Sequence, residues 1–171
     1  MGARVRGGDE MIPSLIAEGA THFIVGVGGG SRTGIRRDLY NRMRTFGLDP
    51  LEVIAPSAVY SKYASKGPGC QILPNATVNA GARLGCNVIV NTGAVVEHDC
   101  VVGDHVHVAS RGVLLGGVEA GEGALVGAGA VVRQLVRIGA DSVLGAGAVA
   151  LRDIPPGKTY AGVPAKELLE K

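Results

Sequence analysis

The sequence predicts a mainly β protein: a parallel β-helix of six-residue repeats preceded by a short α/β fragment. Three observations predict it. Stepping six residues at a time from Ile72 gives Ile72, Val78, Leu84, Val90, Val96, Val102, Val108, Leu114, Ala120, Val126, Val132, Ile138, Leu144 and Ala150; twelve of these fourteen are Ile, Leu or Val, against 46 of 171 in the whole chain. The residue four further on is almost always small, from Ala76 and Ala82 through Cys100 and Ala124 to Ala148, with Ile154 the exception. Finally, 28 glycines, no tryptophan and 4% aromatics require a core of small aliphatics, because the large rings that usually supply buried area are missing.

Six is neither the helical nor the strand period. It is the period of a chain that turns a corner every six residues, with the aliphatic pointing into a narrow prism and the small residue sitting where the walls converge. Three sides make a coil, so Ile72 to Pro155 amounts to four and two-thirds coils, and weaker sixfold steps from Tyr60 and Lys66 add a frayed first one. Glycine recurs one residue after the aliphatic, at Gly85, Gly103, Gly121, Gly127, Gly139 and Gly145, which reads as a corner position that accepts positive φ. Cys70 and Cys100 fall on small-residue positions and read as buried thiols.

Upstream, "DEMIPSLIAEG" reads as a short helix feeding the apolar strand "THFIVGVGG". "SRTGIRRDLYNRMRTFG" follows as a helix with Ser31 as cap, Gly47 as stop and Ile35, Leu39, Met43 and Phe46 on one stripe. The glycine string "GVGGGSRTG" matches neither GxGxxG nor the phosphate-loop pattern, which leaves a nucleotide-phosphate loop and a plain strand-to-helix turn both open. The organisation expected is a partial Rossmann-like fragment over 1–55, the β-helix over 56–155 and a tail over 156–171.

Composition excludes several classes. A net charge of +2 is too mild for a nucleic-acid footprint. No apolar run approaches the roughly 18 residues of a membrane span, and the start "MGARVRGGDEMIP" has no apolar signal core, so no membrane partner is expected. Three cysteines without CxxC spacing argue against a disulfide framework or zinc knuckle and fit a reducing cytoplasm.

Three of the four histidines lie in "NTGAVVEHDCVVGDHVHV". His98 stands two residues after inward Val96, so its ring should project outward. His107 lies half a coil further on, on a different part of the prism. Gly116 follows His98 by one coil and should stack on it.

The stretches "THFIVGVGG", "RTGIRRDLYNRMRTFGLDPLEVIAPSAVYS", "VNAGARLGCNVIVNTGAVVEHDCVVGDHVHV" and "IPPGKTYAGVPAK" resemble the bacterial hexapeptide-repeat sugar acetyltransferases of the sialic acid O-acetyltransferase and bacillosamine type. The resemblance covers essentially the whole chain, and it implies a left-handed β-helix that lacks the first part of the family's nucleotide-binding domain, with its Gly-Gly-His-Gly-like loop. It further implies acetyl-CoA as donor, no metal, a sugar or nucleotide-sugar acceptor, and a homotrimer with active sites between subunits. By that resemblance His98 is the general base, a role suited to imidazole near neutral pH. Asp99 supports it, with Glu97 as a rival orienter, and His107 contacts the thioester. Gly116, Gly127 and Ala146 line the coenzyme groove, and Lys166, with Lys158, meets the coenzyme phosphates. A Gly116 N–H facing the thioester oxygen would steady an oxyanion. Acceptor identity and N- versus O-acetylation stay open. Two other readings stand beside this one: a non-catalytic β-helix scaffold, and a zinc carbonic anhydrase of this fold using His98, His105 and His107, against which the two-residue spacing of the last pair argues.

Overall fold

The computed structural model describes residues 4–29 and 34–168. From Val53 onward the chain makes a two-residue strand every six residues, and each strand pairs in parallel with the strand one coil away, Val95 with Val113 and Val96 with Leu114. Three sheets result. Face one begins at Val53–Ile54 and includes Gln71–Ile72, Ile89–Val90, His107–Val108, Leu125–Val126 and Val143–Leu144; Thr159–Ala161 and the antiparallel Lys166–Glu167 close it. Face two carries Val59–Tyr60, Thr77–Val78, Val95–Val96, Val113–Leu114, Val131–Val132 and Val149–Ala150. Face three carries Ser65–Lys66, Arg83–Leu84, Val101–Val102, Glu119–Ala120 and Arg137–Ile138. The ladder thus runs from Val53 to Tyr160, a few residues past the expected 56–155 at each end, because Val53 already pairs with Gln71 and Tyr160 with Leu144.

From Ile72 to Ala150 the second residue of each strand points inward. Ile72, Val78, Val90, Val96, Val108, Leu114, Val126, Val132 and Leu144 are fully buried, as are the small residues Ala76, Ala82, Ala94, Ala124, Ala130 and Ala148 at the converging corners. Burying each such Val or Leu contributes about 1.5–3 kcal/mol. Tyr60 and Tyr160 pack against the core near its two ends. Cys70 and Cys100 occupy small inward positions with no exposure, and burial pushes the Cys70 thiol up to about 11, so it behaves as a small apolar filler.

The role expected of the repeat glycines is corrected by the backbone. Gly85, Gly103, Gly121, Gly127, Gly139 and Gly145 do not have positive φ; the left-handed residue lies three positions after each inward side chain, as at Asn75, Gly81, Asn87 and Asp99. What excludes a side chain after the aliphatic is the next coil. A Cβ on Gly121 would come within 2.6 Å of the Ala140 backbone nitrogen.

The N-terminal unit is smaller than its sequence suggested. A 3-10 turn at Asp9–Met11 leads into α1 (Ile12–Ala17), then β1 (His22–Phe23), α2 (Gly34–Thr45) and β2 (Asp49–Pro50), with β1 and β2 parallel. The long strand expected over "THFIVGVGG" ends after two residues because its partner β2 has only two. Beyond it the chain is held by side chains: the Val25 carbonyl accepts from Gln71 Nε2 of face one at 2.9 Å. The Ser31 cap lies outside the described residues, while Gly47 ends α2 with its N–H on the Arg44 carbonyl at 3.0 Å.

The buried face of α2 is also not the stripe expected. Ile35 and Phe46 are exposed, and the buried residues are Arg36 and Tyr40. Arg36 donates to the carbonyls of Val25 (3.4 Å), Val27 (2.5 Å) and Asn87 (2.8 Å) and to Asn87 Oδ1 (2.7 Å). Tyr40 packs edge-on against Phe23 and His105, with centroids 5.5 and 5.4 Å apart. Arg37 adds ion pairs to Glu122 (2.9 Å) and Asp141 (3.4 Å). The helix is therefore docked along the edge between faces three and one by polar groups, which apolar periodicity does not register.

These two kinds of glycine should respond differently to substitution. Gly121→Ala should cost about 1–3 kcal/mol by overpacking backbone against backbone. Gly129→Ala, at φ 65° with nothing within 4 Å of the added carbon, should cost only about 1 kcal/mol of left-handed strain. Urea unfolding of the two variants measures the difference.

Candidate active site at a corner of the prism

Leaving face two at Val96, the chain rounds a corner through Glu97, His98 and Asp99 before Cys100 turns inward and face three begins at Val101. The corner requires one left-handed residue, and it is Asp99, at φ 60°. That conformation undoes the alternation that would point neighbouring side chains apart. His98 Nδ1 and Asp99 Oδ2 meet at 2.9 Å, both side chains being largely exposed. The coils above and below fix the bend: Asp99 donates its N–H to the Ala80 carbonyl at 3.0 Å, and the His98 carbonyl accepts from Gly117 at 2.9 Å. Glu97 Oε2 accepts from the His98 backbone at 3.2 Å and from Asn79 Nδ2 at 2.9 Å, so Glu97 holds the main chain and Asp99 the ring.

Gly116 lies one coil further along, against the imidazole. A Cβ there would sit 2.6 Å from both His98 Cε1 and Nε2, so only glycine leaves the ring in place. The Gly116 N–H has no acceptor among the described residues, whereas its carbonyl accepts from Leu135 at 3.1 Å. With Nδ1–H donated to Asp99, the Nε2 lone pair is left facing an open cleft of about 540 Å³ lined by Glu97, Leu115, Gly116, Gly117, Gln134 and Leu135.

The other expected residues lie elsewhere. Gly127 and Ala146 adjoin each other on the edge between faces one and two, where a Cβ on Gly127 would meet the Ala146 nitrogen at 2.6 Å. His107 is on face one, 6% exposed, with Nδ1 accepting the Gly29 N–H at 2.7 Å and Nε2 3.1 Å from Asn91 Nδ2. Gly28 and Gly29 pack against it, a Cβ on Gly29 falling 2.7 Å from Nδ1, so that part of the glycine string permits a close approach of backbone to ring. Lys166 lines a cavity of about 490 Å³ under the C-terminal hairpin with Arg152, Asp153 and Tyr160, and Lys158 pairs with Glu167 at 2.8 Å. His105 is buried against Asn87 at 3.0 Å. No group of His, Cys, Asp or Glu among the described residues is arranged to hold a metal.

Solved structures share this fold. The perosamine N-acetyltransferase PerB of Caulobacter crescentus, crystallised with CoA and GDP-perosamine, superposes with a TM-score of 0.89 at 38% identity over 94% of this chain and 76% of its own. The chain belongs to the hexapeptide-repeat sugar acetyltransferases. The acetyltransferase domain of PglB from Neisseria gonorrhoeae is a second such relative of this left-handed β-helix family, at TM-score 0.83, 36% identity, 91% of this chain and 77% of that one. Among curated proteins, the GDP-perosamine N-acetyltransferase of Escherichia coli is 32% identical over 139 residues, covering 78% of this chain and 63% of that protein's length. The chain therefore spans less than two thirds of this curated relative. No family model matches the chain. Among the described residues no helix is long and apolar enough to cross a membrane.

Arg36 and Asn87 went unassigned in the sequence, and His105 entered only as a candidate zinc ligand. The signal for Asn87 was its place in the left-handed corner column, where asparagine is favoured; Arg36 left none, because its acceptors lie 9 to 51 residues away.

Burial pushes His107 down to about 4, with the Arg36 charge adding to it, and lowers His105 in the same direction. The neutral form is the folded form, so the unfolded chain binds the extra proton once pH falls below about 6.5. Stability should therefore fall between pH 6.5 and 4, by about 3 kcal/mol from His107 alone. Urea unfolding at pH 7 and pH 4 checks this, and His107→Gln should shrink the difference.

Proposed function

We propose that this chain transfers an acetyl group from acetyl-CoA to an amino or hydroxyl group of a nucleotide-linked sugar, by direct attack with His98 as general base. One observation carries the reading: His98, oriented through Nδ1 by Asp99, presents Nε2 over a glycine whose N–H has no acceptor among the described residues. The acceptor lone pair attacks the thioester carbonyl while Nε2 takes the acceptor proton. The Gly116 N–H receives the developing oxyanion. Collapse expels the coenzyme thiolate, which takes the proton back from His98, so atoms and charges balance without an acetyl-enzyme. The buried, raised-pKa cysteines fit that scheme. PerB, solved with CoA and GDP-perosamine, supports the donor and the class of acceptor.

The remaining residues enter through a homotrimer. The N-terminal unit covers face one, and face three presents Ser65, Arg83, Glu119 and Arg137 around Val101. Face two presents Val59, Thr77, Val95, Val113, Val131 and Val149, a nearly unbroken apolar stripe with Val59 60% exposed. His98 and Gly116 flank that stripe on one edge, Gly127 and Ala146 on the other. Copies packed through face two around a threefold axis bring the His98 edge of one against the Gly127 edge of the next. The donor then runs between them, with Lys166 toward its phosphates. His107, neutral at working pH, lines this path as a wall under Gly28 and Gly29 rather than as a proton carrier. A cytoplasmic setting suits three free thiols and acetyl-CoA.

The test is thiol release from acetyl-CoA across a panel of nucleotide-linked 4-amino sugars and free nonulosonic acids. His98→Ala should lose about 10²- to 10⁴-fold in turnover with the preferred acceptor. Turnover unaffected by that substitution would overturn the assignment.

A further inference from the structure

The corner column that holds Asp99 runs Gly81, Asp99, Gly117 and Leu135, all in the left-handed region at φ 75, 60, 68 and 62°. Glycine accepts that conformation freely and aspartate tolerates it; a leucine does not. Leu135 is the one aliphatic residue at positive φ among the described residues. It gains little burial in return, because the residue is 77% exposed. Folding therefore gives no reason for leucine here.

Its surroundings do. Leu135 lines the same cleft as His98, and its Cδ2 lies over Gly117, 2.7 Å from where a Cβ would stand. Gly117 donates to the His98 carbonyl and Leu135 donates to the Gly116 carbonyl, so the three levels His98, Gly116–Gly117 and Leu135 are stacked by consecutive hydrogen bonds. At about 4.8 Å per level, the Leu135 backbone stands about 10 Å along the axis from that of His98, and its side chain leans back toward the level of Gly117. The strip between them is glycine, and Leu115 adds a second apolar wall. Those dimensions match a thioester arm. With its carbonyl carbon at His98 and the chain extended along the glycines, the arm's second pair of methylenes, between its two amides, lies six to seven bonds and about 8 Å away, within reach of a side chain that leans back over Gly117.

We propose that Leu135 is a donor-binding residue: its side chain packs on the second methylene pair of the pantetheine arm and so holds the thioester carbonyl at Gly116. This rests on the acetyl-CoA reading above. The left-handed backbone at Leu135 is then a folding cost retained for ligand contact, and its removal should separate stability from binding.

Coenzyme A titrated calorimetrically into the full chain, beside thermal unfolding and sedimentation, makes the test. Leu135→Gly and Leu135→Asn should keep or raise the thermal midpoint, keep the parent's oligomeric state and weaken coenzyme A binding about tenfold, the loss expected for one apolar contact. Leu135→Met should bind within about twofold of the parent, and the KM for the acceptor should not move. Parent affinity in Leu135→Gly would overturn the proposal, as would weakened binding that appears only with dissociation of the oligomer, which would make Leu135 a subunit contact. A parent that binds no coenzyme A would instead overturn the acetyl-CoA reading, and this inference with it.

Discussion

Everything in this molecule depends on a parallel ladder in which each residue hydrogen-bonds to the one a full coil away. The chain can keep that register only by turning a corner every six residues, and each corner needs one residue in the left-handed conformation. The inward aliphatic, the small residue at the converging corner and the glycine pressed against the next coil are all consequences of it. So is the site. Asp99 can reach the imidazole of the residue before it because the corner places Asp99 at positive φ, and Gly116 lies beneath that ring because the register stacks the two residues.

The same ladder makes the prism's three faces chemically distinct, since one outward residue per coil is repeated down each sheet. Face one is occupied by the N-terminal unit, whose docking is polar. The two terminal nitrogens of a buried guanidinium on α2 donate to three backbone carbonyls and one asparagine amide oxygen, leaving only Nε without a partner among the described residues, and a neutral histidine accepts a glycine N–H. Desolvating an arginine costs several kcal/mol unless its donors are met, so these contacts fix one orientation of the helix rather than simply adding stability. Face two is left as a valine stripe bordered by the two edges that the proposed mechanism needs.

How much of this was legible in the sequence follows from the range of the interactions. The inward series Ile72 to Leu144 could be read because its period is local, and the stacking of Gly116 on His98 could be read because register converts sequence distance into spatial distance. Leu39 and Met43 carry the helical period of α2, yet Arg36 and Tyr40 are the buried residues, because Asn87 and His105, far along the chain, offer them partners. The glycines after each aliphatic were visible, but their reason was not: a close approach between coils leaves the same composition as a positive φ. Leu135 broke a local rule that only the backbone angles reveal.

The central claim is that half of the site lies on each of two edges and is joined across face two. Sedimentation equilibrium of the parent and of Val113→Glu, with thiol release from acetyl-CoA assayed on the same samples, tests it most directly. The parent should sediment at three times the chain mass of 17.4 kDa, and a folded Val113→Glu at one chain mass without turnover. A parent that sediments as a single chain and still turns over would contradict it.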